Sequence, residues 1–454
     1  MNNQNEEVKQ SVRYLALTTL DKIIQSNAYS NIQLNQALQQ TTLSVADKRL
    51  LTNIVYGVIQ HRLTLEYWLN PFIKGKKLDS WVKTLLIMSL YQYRYLDRVP
   101  NWAVTDEAIK IAKVIGHAGI RKLVTAVLHT ALRNNEIDFA KIEDPIKRMS
   151  IEYSVPQWLI DELNRQYGLE ATRAVLTSIN NAPHQSIRIN RKLTTIAQVK
   201  ELLTDQQFDV RQSPVLPDSL IVSGPISVAD TDLFQQGLIT IQDESATLAV
   251  DSMALAPSSQ VLDACAAPGG KTVQIAQDLD AHASGKVTAL DIHPHKIKLI
   301  NQVARRLSVS DVVEAVKLDA RKVDEKYADE AFDCILVDAP CSGFGLIRRK
   351  PEIRYDKSLA DSLNLQKIQL SILNAVAPKV KKGGIITYST CTILQQENDQ
   401  VVTQFIKSHP DFSIIPTETT NQLPSHSQPA TLTILPSDFN SDGFFVATIK
   451  KSDK

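Results

Sequence analysis

From Ser259 onward, short runs rich in β-branched residues alternate with runs of helical periodicity, and this alternation restricts the fold more than any other feature of the chain. The extended runs are QVLDAC, KVTALDI, VVEAVKLDA, FDCILVDAP and GGIITYST; the helical ones include HKIKLINQVARRL, LADSLNLQKIQLSILNAVAPKV and QQENDQVVTQFIKSH. Strands joined through helices pair in parallel, and a parallel sheet must be covered on both faces. An open α/β domain is therefore expected here. The terminal run GFFVATIKK is expected as an added edge strand, and the polar stretch 416–435 as a surface loop.

The first third follows a different period. In VRYLALTTLDKII, KRLLTNIVYGVIQHRLTLEYWL, WVKTLLIMSLYQYRYL and RKLVTAVLHTALR, apolar residues recur at the spacing of a helix's buried stripe. Breaks are expected at Asn70-Pro71, Gly75, Val99-Pro100 and Gly116 through Gly119. An all-α domain over 1–140 follows. A small α+β module is expected over 141–236, where QSIRIN, the helical TIAQVKELLTDQQF and the extended SLIVSG succeed one another, and the α/β domain occupies 237–454.

Composition removes several functional classes. With 454 residues, 43% hydrophobic and 22% charged, the chain can bury several cores. No apolar stretch reaches the roughly 18 residues that span a bilayer, and MNNQNEEVKQ lacks the basic start and apolar middle of a signal peptide. A cytoplasmic protein without a membrane partner is expected. The four cysteines, Cys265, Cys334, Cys341 and Cys391, form neither a disulfide framework nor a CxxC zinc pair, so no metal is expected. Residues 1–140 carry 17 Lys/Arg against 11 Asp/Glu, a surplus of six, whereas the remainder carries 33 against 38. A basic accessory region suits a polyanion such as RNA; a solvated basic surface is the plainer alternative.

Four of the predicted strands end in aspartate: Asp263, Asp291, Asp319 and Asp338. One such residue commonly caps the next helix. Four at corresponding places point to a shared ligand, because open parallel sheets bind ligands at the carboxyl ends of their strands. After the first strand, Cys265-Ala266-Ala267-Pro268-Gly269-Gly270-Lys271 is built of small residues that let a ligand approach the backbone before a helix begins. The P-loop pattern fails, since its first glycine falls on Cys265. S-adenosylmethionine (SAM) suits such a site: carboxylates can accept from its ribose hydroxyls and purine amine and attract its sulfonium. Lys271 reads either as part of this site or as an exposed first-turn lysine.

Cys334 falls inside its strand and reads as a small buried hydrophobe. Cys341, in Asp338-Ala339-Pro340-Cys341, and Cys391, in Ser389-Thr390-Cys391, fall just past neighbouring strand ends and should face the carboxylates. Carbon 5 of cytosine is a poor nucleophile. A thiolate that adds at carbon 6 makes carbon 5 an enamine terminus able to accept a methyl group, and the adduct must then be resolved. Asp338 can hydrogen-bond or protonate the ring at nitrogen 3. Spacing does not rank the two cysteines.

DACAAPGGKT from Asp263, VDAPCSG from Val337, GLIRRKPEIRY from Gly345 and YSTCT followed by Glu397-Asn398 together resemble the Sun/Fmu family of RNA cytosine-C5 methyltransferases, over about residues 237–450. The helices over about 5–135, with ADKRLLTNIVYGVIQHRLTLEYWL, resemble the NusB-like domain of its RsmB-type subgroup, which acts on bacterial small-subunit ribosomal RNA. The resemblance implies an all-α NusB-like domain, a small α+β module and a Rossmann-like SAM-dependent methyltransferase domain. It implies Cys391 as nucleophile, Cys341 as the residue assisting product release, and SAM contacts from Cys265 to Lys271, Asp291, Asp319 and Asp338. It implies 16S ribosomal RNA as partner, with cytidine 967 as target; a monomer is expected, although the sequence itself does not reveal the oligomeric state. Arg348, Arg349, Lys350 and Arg354, on a loop after Cys341, are expected to grip phosphates; Arg188, Arg191 and Lys192 are further basic candidates. The chain departs from the family at Gln274 and Gln277, where His and Glu are usual and where Gln277 is expected to weaken SAM binding. It departs again at Lys350-Pro351-Glu352 and Tyr355, where His-Pro-Asp and Trp are common. The alternatives are a non-catalytic RNA-binding or antitermination factor, and the same chemistry on transfer RNA or DNA.

Overall fold

The computed structural model describes residues 2–26, 29–134, 137–426 and 430–454. Residues 135–136, at the expected end of the helical domain, and 427–429, in the expected surface loop, lie outside the described residues. The chain divides into two compact units: residues up to Arg165 with Arg349–Asp356, and Gln166–Arg348 with Lys357–Lys454.

The first unit is helical. Val12–Ser26, Val45–Gln60, Arg62–Ile73, Ser80–Tyr95, Asn101–Ile115 and Ala118–Arg133 surround one core in which Leu17, Leu51, Leu65, Leu85 and Leu128 are buried. Ser80–Tyr95 is its centre, with ten buried residues, and Gly57 lets it approach closely: a Cβ there would lie 2.0 Å from the Tyr91 ring. The break expected at Asn70-Pro71 falls later, because Pro71 lies inside the helix that runs to Ile73 and Gly75 (φ 76) makes the turn. The unit extends past residue 140 through Pro145–Tyr153 and takes in 349–356 from far along the chain.

In the second unit, β1 (Gln185–Ile189), β2 (Asp209–Gln212), β3 (Ser219–Ser223) and β4 (Ile239–Ile241) form an antiparallel sheet in the order β2-β3-β1-β4. Thr195 and Gln198 close a capping box at the start of Ile196–Asp205, the helix that packs on it. β4 lies beyond the boundary expected at 236/237, yet it pairs with β1.

The larger sheet contains β5 (Gln260–Asp263), β6 (Lys286–Asp291), β7 (Val313–Lys317), β8 (Phe332–Asp338), β9 (Val380–Thr390), β10 (Phe412–Ile415), β11 (Leu432–Ile434) and β12 (Phe444–Lys451). Its order is β10-β12-β9-β8-β5-β6-β7, with β11 paired to β12. The run from β7 to β9 is parallel and β12 is antiparallel to β9. Two expectations change here. GFFVATIKK is not an edge strand, because β10 pairs on its far side; and the stretch 416–435 includes a strand, β11, rather than loop alone.

Candidate active site

Strand order reverses beside β5, whose neighbours are β6 and β8, and at such a point the strand ends leave a crevice. β8 and β9 run parallel with Asp338 opposite Ser389, so the two strands finish at one level. Cys341 and Cys391 follow within a few residues, and the two loops bring their sulfurs to 3.2 Å. Gly345 closes this arrangement: its N–H donates to the Cys391 carbonyl at 2.9 Å and its carbonyl accepts from Gly443 at 2.9 Å.

Asp338 accepts from Lys271 Nζ at 2.8 Å and from Ser389 Oγ at 2.8 Å. Lys271 is not an exposed lysine, since its side chain is only 14% exposed and its ammonium lies 4.9 Å from the Phe444 ring centroid. Burial would lower its pKa, but Asp338, the Cys391 sulfur and Asp263 together hold it above the ordinary value. A hydrogen bond to Cys391, then burial, then the charges of Cys391, Glu397 and Asp338 hold the Cys341 thiol well above its usual range. Either sulfur can donate in this contact.

A cavity of ≈ 460 Å³ opens beside these groups. Its lining includes Cys265, Ala267, Asp291, Asp319, Asp338, Cys341 and Cys391, seven of the twelve residues expected to serve catalysis or the cofactor. Asp291 accepts from the His293 N–H at 2.9 Å, and Asp319 caps the following turn and pairs with Arg321 at 2.6 Å, which lowers its pKa. Ala266 turns instead into a small cluster with Ala289 and Ile300, Gly269 (φ 110) starts the next helix, and Pro268 is exposed. Asp263 lies beneath the loop at 1% exposure, accepting from Thr272 Oγ1 at 2.6 Å. Burial pushes its carboxyl up to about 7.

Several expectations are corrected. Arg354 is fully buried in the helical unit, where it donates to the carbonyls of Gln60, Tyr153 and Ser154. Arg348 is buried in the second unit and donates to Asn440 and the Ser441 carbonyl. Both guanidiniums are committed to protein acceptors rather than turned to phosphates, whereas Arg349 and Lys350 are partly exposed. Arg188 is also buried, against Gln242 and Gln277; Arg191 pairs with Asp218 and Asp278, and Lys192 donates to the Leu279 carbonyl. Gln274 and Gln277 do not line the cavity. Gln274 donates to the Thr247 carbonyl and accepts from Gln242, while Gln277 accepts from Arg188, so the expected direct weakening of SAM binding by Gln277 has no contact to act through.

Sequence reasoning missed Ile292, Leu318, Ile368 and Ile372, the apolar walls of the cavity. The pair Ile368 and Ile372, four apart on the helix Leu359–Val376, was the available signal. It also gave no role to Glu397, which is fully buried beneath Cys341.

The chain matches the family described as 16S rRNA methyltransferase RsmB/F over residues 251–450, the NusB family over 10–133, and the ferredoxin-like domain of RsmF/B-type methyltransferases over 155–229. It is 42% identical to "Probable ribosomal RNA small subunit methyltransferase B" of Bacillus subtilis (strain 168), across 98% of this chain and 99% of that protein. It is 31% identical to "Ribosomal RNA small subunit methyltransferase B" of Yersinia pestis bv. Antiqua (strain Angola), across 91% and 92%. In fold it resembles the crystal structure of PH0851, at TM-score 0.80 and 24% identity over 98% of this chain and 99% of that one. A structure of NSun6 from Pyrococcus horikoshii with SFG matches at TM-score 0.59 and 19% identity, over 66% and 98%. With a NusB domain, a ferredoxin-like module and a methyltransferase domain in that order, and near-complete coverage of its relatives, the chain belongs to the RsmB/F family of 16S ribosomal RNA methyltransferases.

Proposed function

We propose that this enzyme methylates carbon 5 of a cytosine in small-subunit ribosomal RNA, cytidine 967 being the target that its family resemblance suggests, through a covalent adduct at Cys391. The cavity suits SAM by its chemistry: apolar Ile292 and Leu318 beside carboxylates at Asp291, Asp319 and Asp338 match a purine, a ribose diol and a cationic sulfonium. When bound, SAM supplies a methyl group to carbon 5. The protein performs the rest. The Cys391 sulfur adds to carbon 6, and the C5–C6 π pair becomes available at carbon 5. As that bond forms, the Asp338 carboxyl, resupplied by the Lys271 ammonium 2.8 Å away, gives a proton to nitrogen 3 to neutralise the density arriving there, and takes it back when the adduct is resolved. Loss of the carbon 5 proton to water restores the double bond and returns the S–C6 pair to Cys391. Cys341 then donates its S–H to the departing sulfur. The cytosine must leave its stack to expose carbon 6, with the helical domain, Arg349 and Lys350 holding RNA around it.

The observation that carries this reading is the 3.2 Å separation of two thiols at the rim of a cavity bordered by Asp338. Unmodified small-subunit ribosomal RNA, incubated with enzyme and SAM and mapped by bisulfite conversion, should gain one protected cytosine. Cys391→Ala should abolish the product, and Cys341→Ala should accumulate enzyme on RNA as a gel-shifted adduct. Tight RNA binding with no new 5-methylcytosine would leave only a binding factor, and the reverse trapping pattern would exchange the roles of the thiols.

A further inference from the structure

Glu397 is fully buried, and its carboxylate accepts four hydrogen bonds. Oε1 takes the hydroxyls of Ser342 at 2.6 Å and Ser362 at 2.7 Å; Oε2 takes the Ser342 backbone N–H at 2.8 Å and Gln369 Nε2 at 3.0 Å. Ser342 is the residue after Cys341, and its hydroxyl also lies 2.9 Å from Thr392 Oγ1, in the residue after Cys391. Gln369 donates as well to the carbonyl of Pro340, the residue before Cys341. The Glu397 carbonyl accepts from Tyr388 Oη at 2.6 Å, and neighbouring Asn398 joins Thr390 and the Thr392 carbonyl. A buried charge costs several kcal/mol unless it is fully satisfied. Here every donor comes from the Cys341 loop or from the helix Leu359–Val376 behind it.

We infer that Glu397 is a positioning residue for the release step: it fixes the Cys341 loop against the Cys391 loop and keeps Cys341 as the neutral thiol that donates to the Cys391 sulfur as the S–C6 bond breaks. The inference rests on the covalent-adduct reading above. The carbon 5 proton goes to water, its bonding pair forms the C5–C6 double bond, and the S–C6 pair leaves on Cys391, hydrogen-bonded by the Cys341 S–H. The titratable groups facing Cys341 are Cys391, Glu397, Asp338 and the Tyr388 hydroxyl, with Lys271 behind Asp338. Three of them, Cys391, Glu397 and Asp338, favour its protonated form. An acid held by such neighbours donates at neutral pH without first ionising.

The test separates adduct formation from adduct resolution. Full-length enzyme, labelled ribosomal RNA and SAM are quenched at intervals and run on denaturing gels across a pH series. With Glu397→Gln, adduct formation should stay within about threefold of wild type, while resolution should slow about tenfold. The pH above which resolution fails should also move down, because a charge that favoured the thiol is gone. Ser362→Ala keeps the charge and three of the four donors, so its alkaline limit should not move. Equal slowing of both steps with an unmoved limit, or no change, overturns the inference. If Glu397→Gln does not fold, Glu397→Asp serves: slower resolution with normal adduct formation supports it, and equal slowing overturns it. Wild-type enzyme that forms neither adduct nor 5-methylcytosine would instead overturn the reading beneath.

Discussion

Four aspartates close four successive parallel strands, or nearly so, and each meets a different environment. Asp291, Asp319 and Asp338 edge the cavity, whereas Asp263 is buried beneath the loop with Thr272. Its carboxyl, raised from 3.8 to about 7 mainly by burial, keeps a proton in the folded state that the unfolded chain loses above about pH 4. Stability from this group is present below pH 4 and is lost as pH rises towards 7. Asp263→Asn should remove that loss: the melting temperature of the variant minus that of wild type should increase from pH 4 to pH 7. A flat difference would place Asp263 in its charged form. The strand-end carboxylates were legible because a strand's end can be read locally. The buried arginines were not, because nothing in RRKPEIRY announces the carbonyls of Gln60, Tyr153 and Ser154 that receive Arg354.

At the scale of elements, alternation of periods gave the parallel strands correctly, and their register brings the ends of β8 and β9 to one level. What escaped was pairing. GFFVATIKK reads as a strand, but only the approach of β10 places it inside the sheet. Close approaches were equally invisible. Gly345 is needed where the Cys341 loop passes the Cys391 loop, since a Cβ there would lie 1.9 Å from the Gly443 oxygen and 2.7 Å from the Cys391 oxygen. Gly345→Ala should cost about 1–3 kcal/mol by overpacking. It should also reduce methylation by about a hundredfold, because displacing reacting groups by about 1 Å has that effect. Guanidinium melts and initial rates check the two parts; full activity would mean the loops tolerate displacement.

At the scale of the molecule, the segment 349–356 lies between catalytic elements in sequence but belongs to the helical unit. Glu352 accepts from the Ser30 N–H and hydroxyl at the start of Ser30–Gln39, where a carboxylate complements the helix dipole. Tyr355 meets Ser154, and Arg354 satisfies three carbonyls. The departures at Glu352 and Tyr355 therefore fall in a structural seat rather than in the cavity. Arg354→Met should destabilise the helical unit by about 2–3 kcal/mol, the worth of hydrogen bonds to a charged donor. Calorimetry should show an earlier transition for that unit and an unchanged one for the methyltransferase domain. Unchanged melting of the helical unit would remove this role.

The sequence alone determined the order of the domains, the parallel strands, the acidic strand ends, the small-residue loop and the placing of two cysteines just past neighbouring strand ends, because each follows from local periodicity or from residue chemistry at a fixed spacing. Tertiary structure alone decided how closely the two sulfurs approach, which basic residues are buried, where β12 pairs and what Glu397 holds. Those outcomes depend on partners tens to hundreds of residues away, and long-range pairing leaves no periodic trace in a single chain.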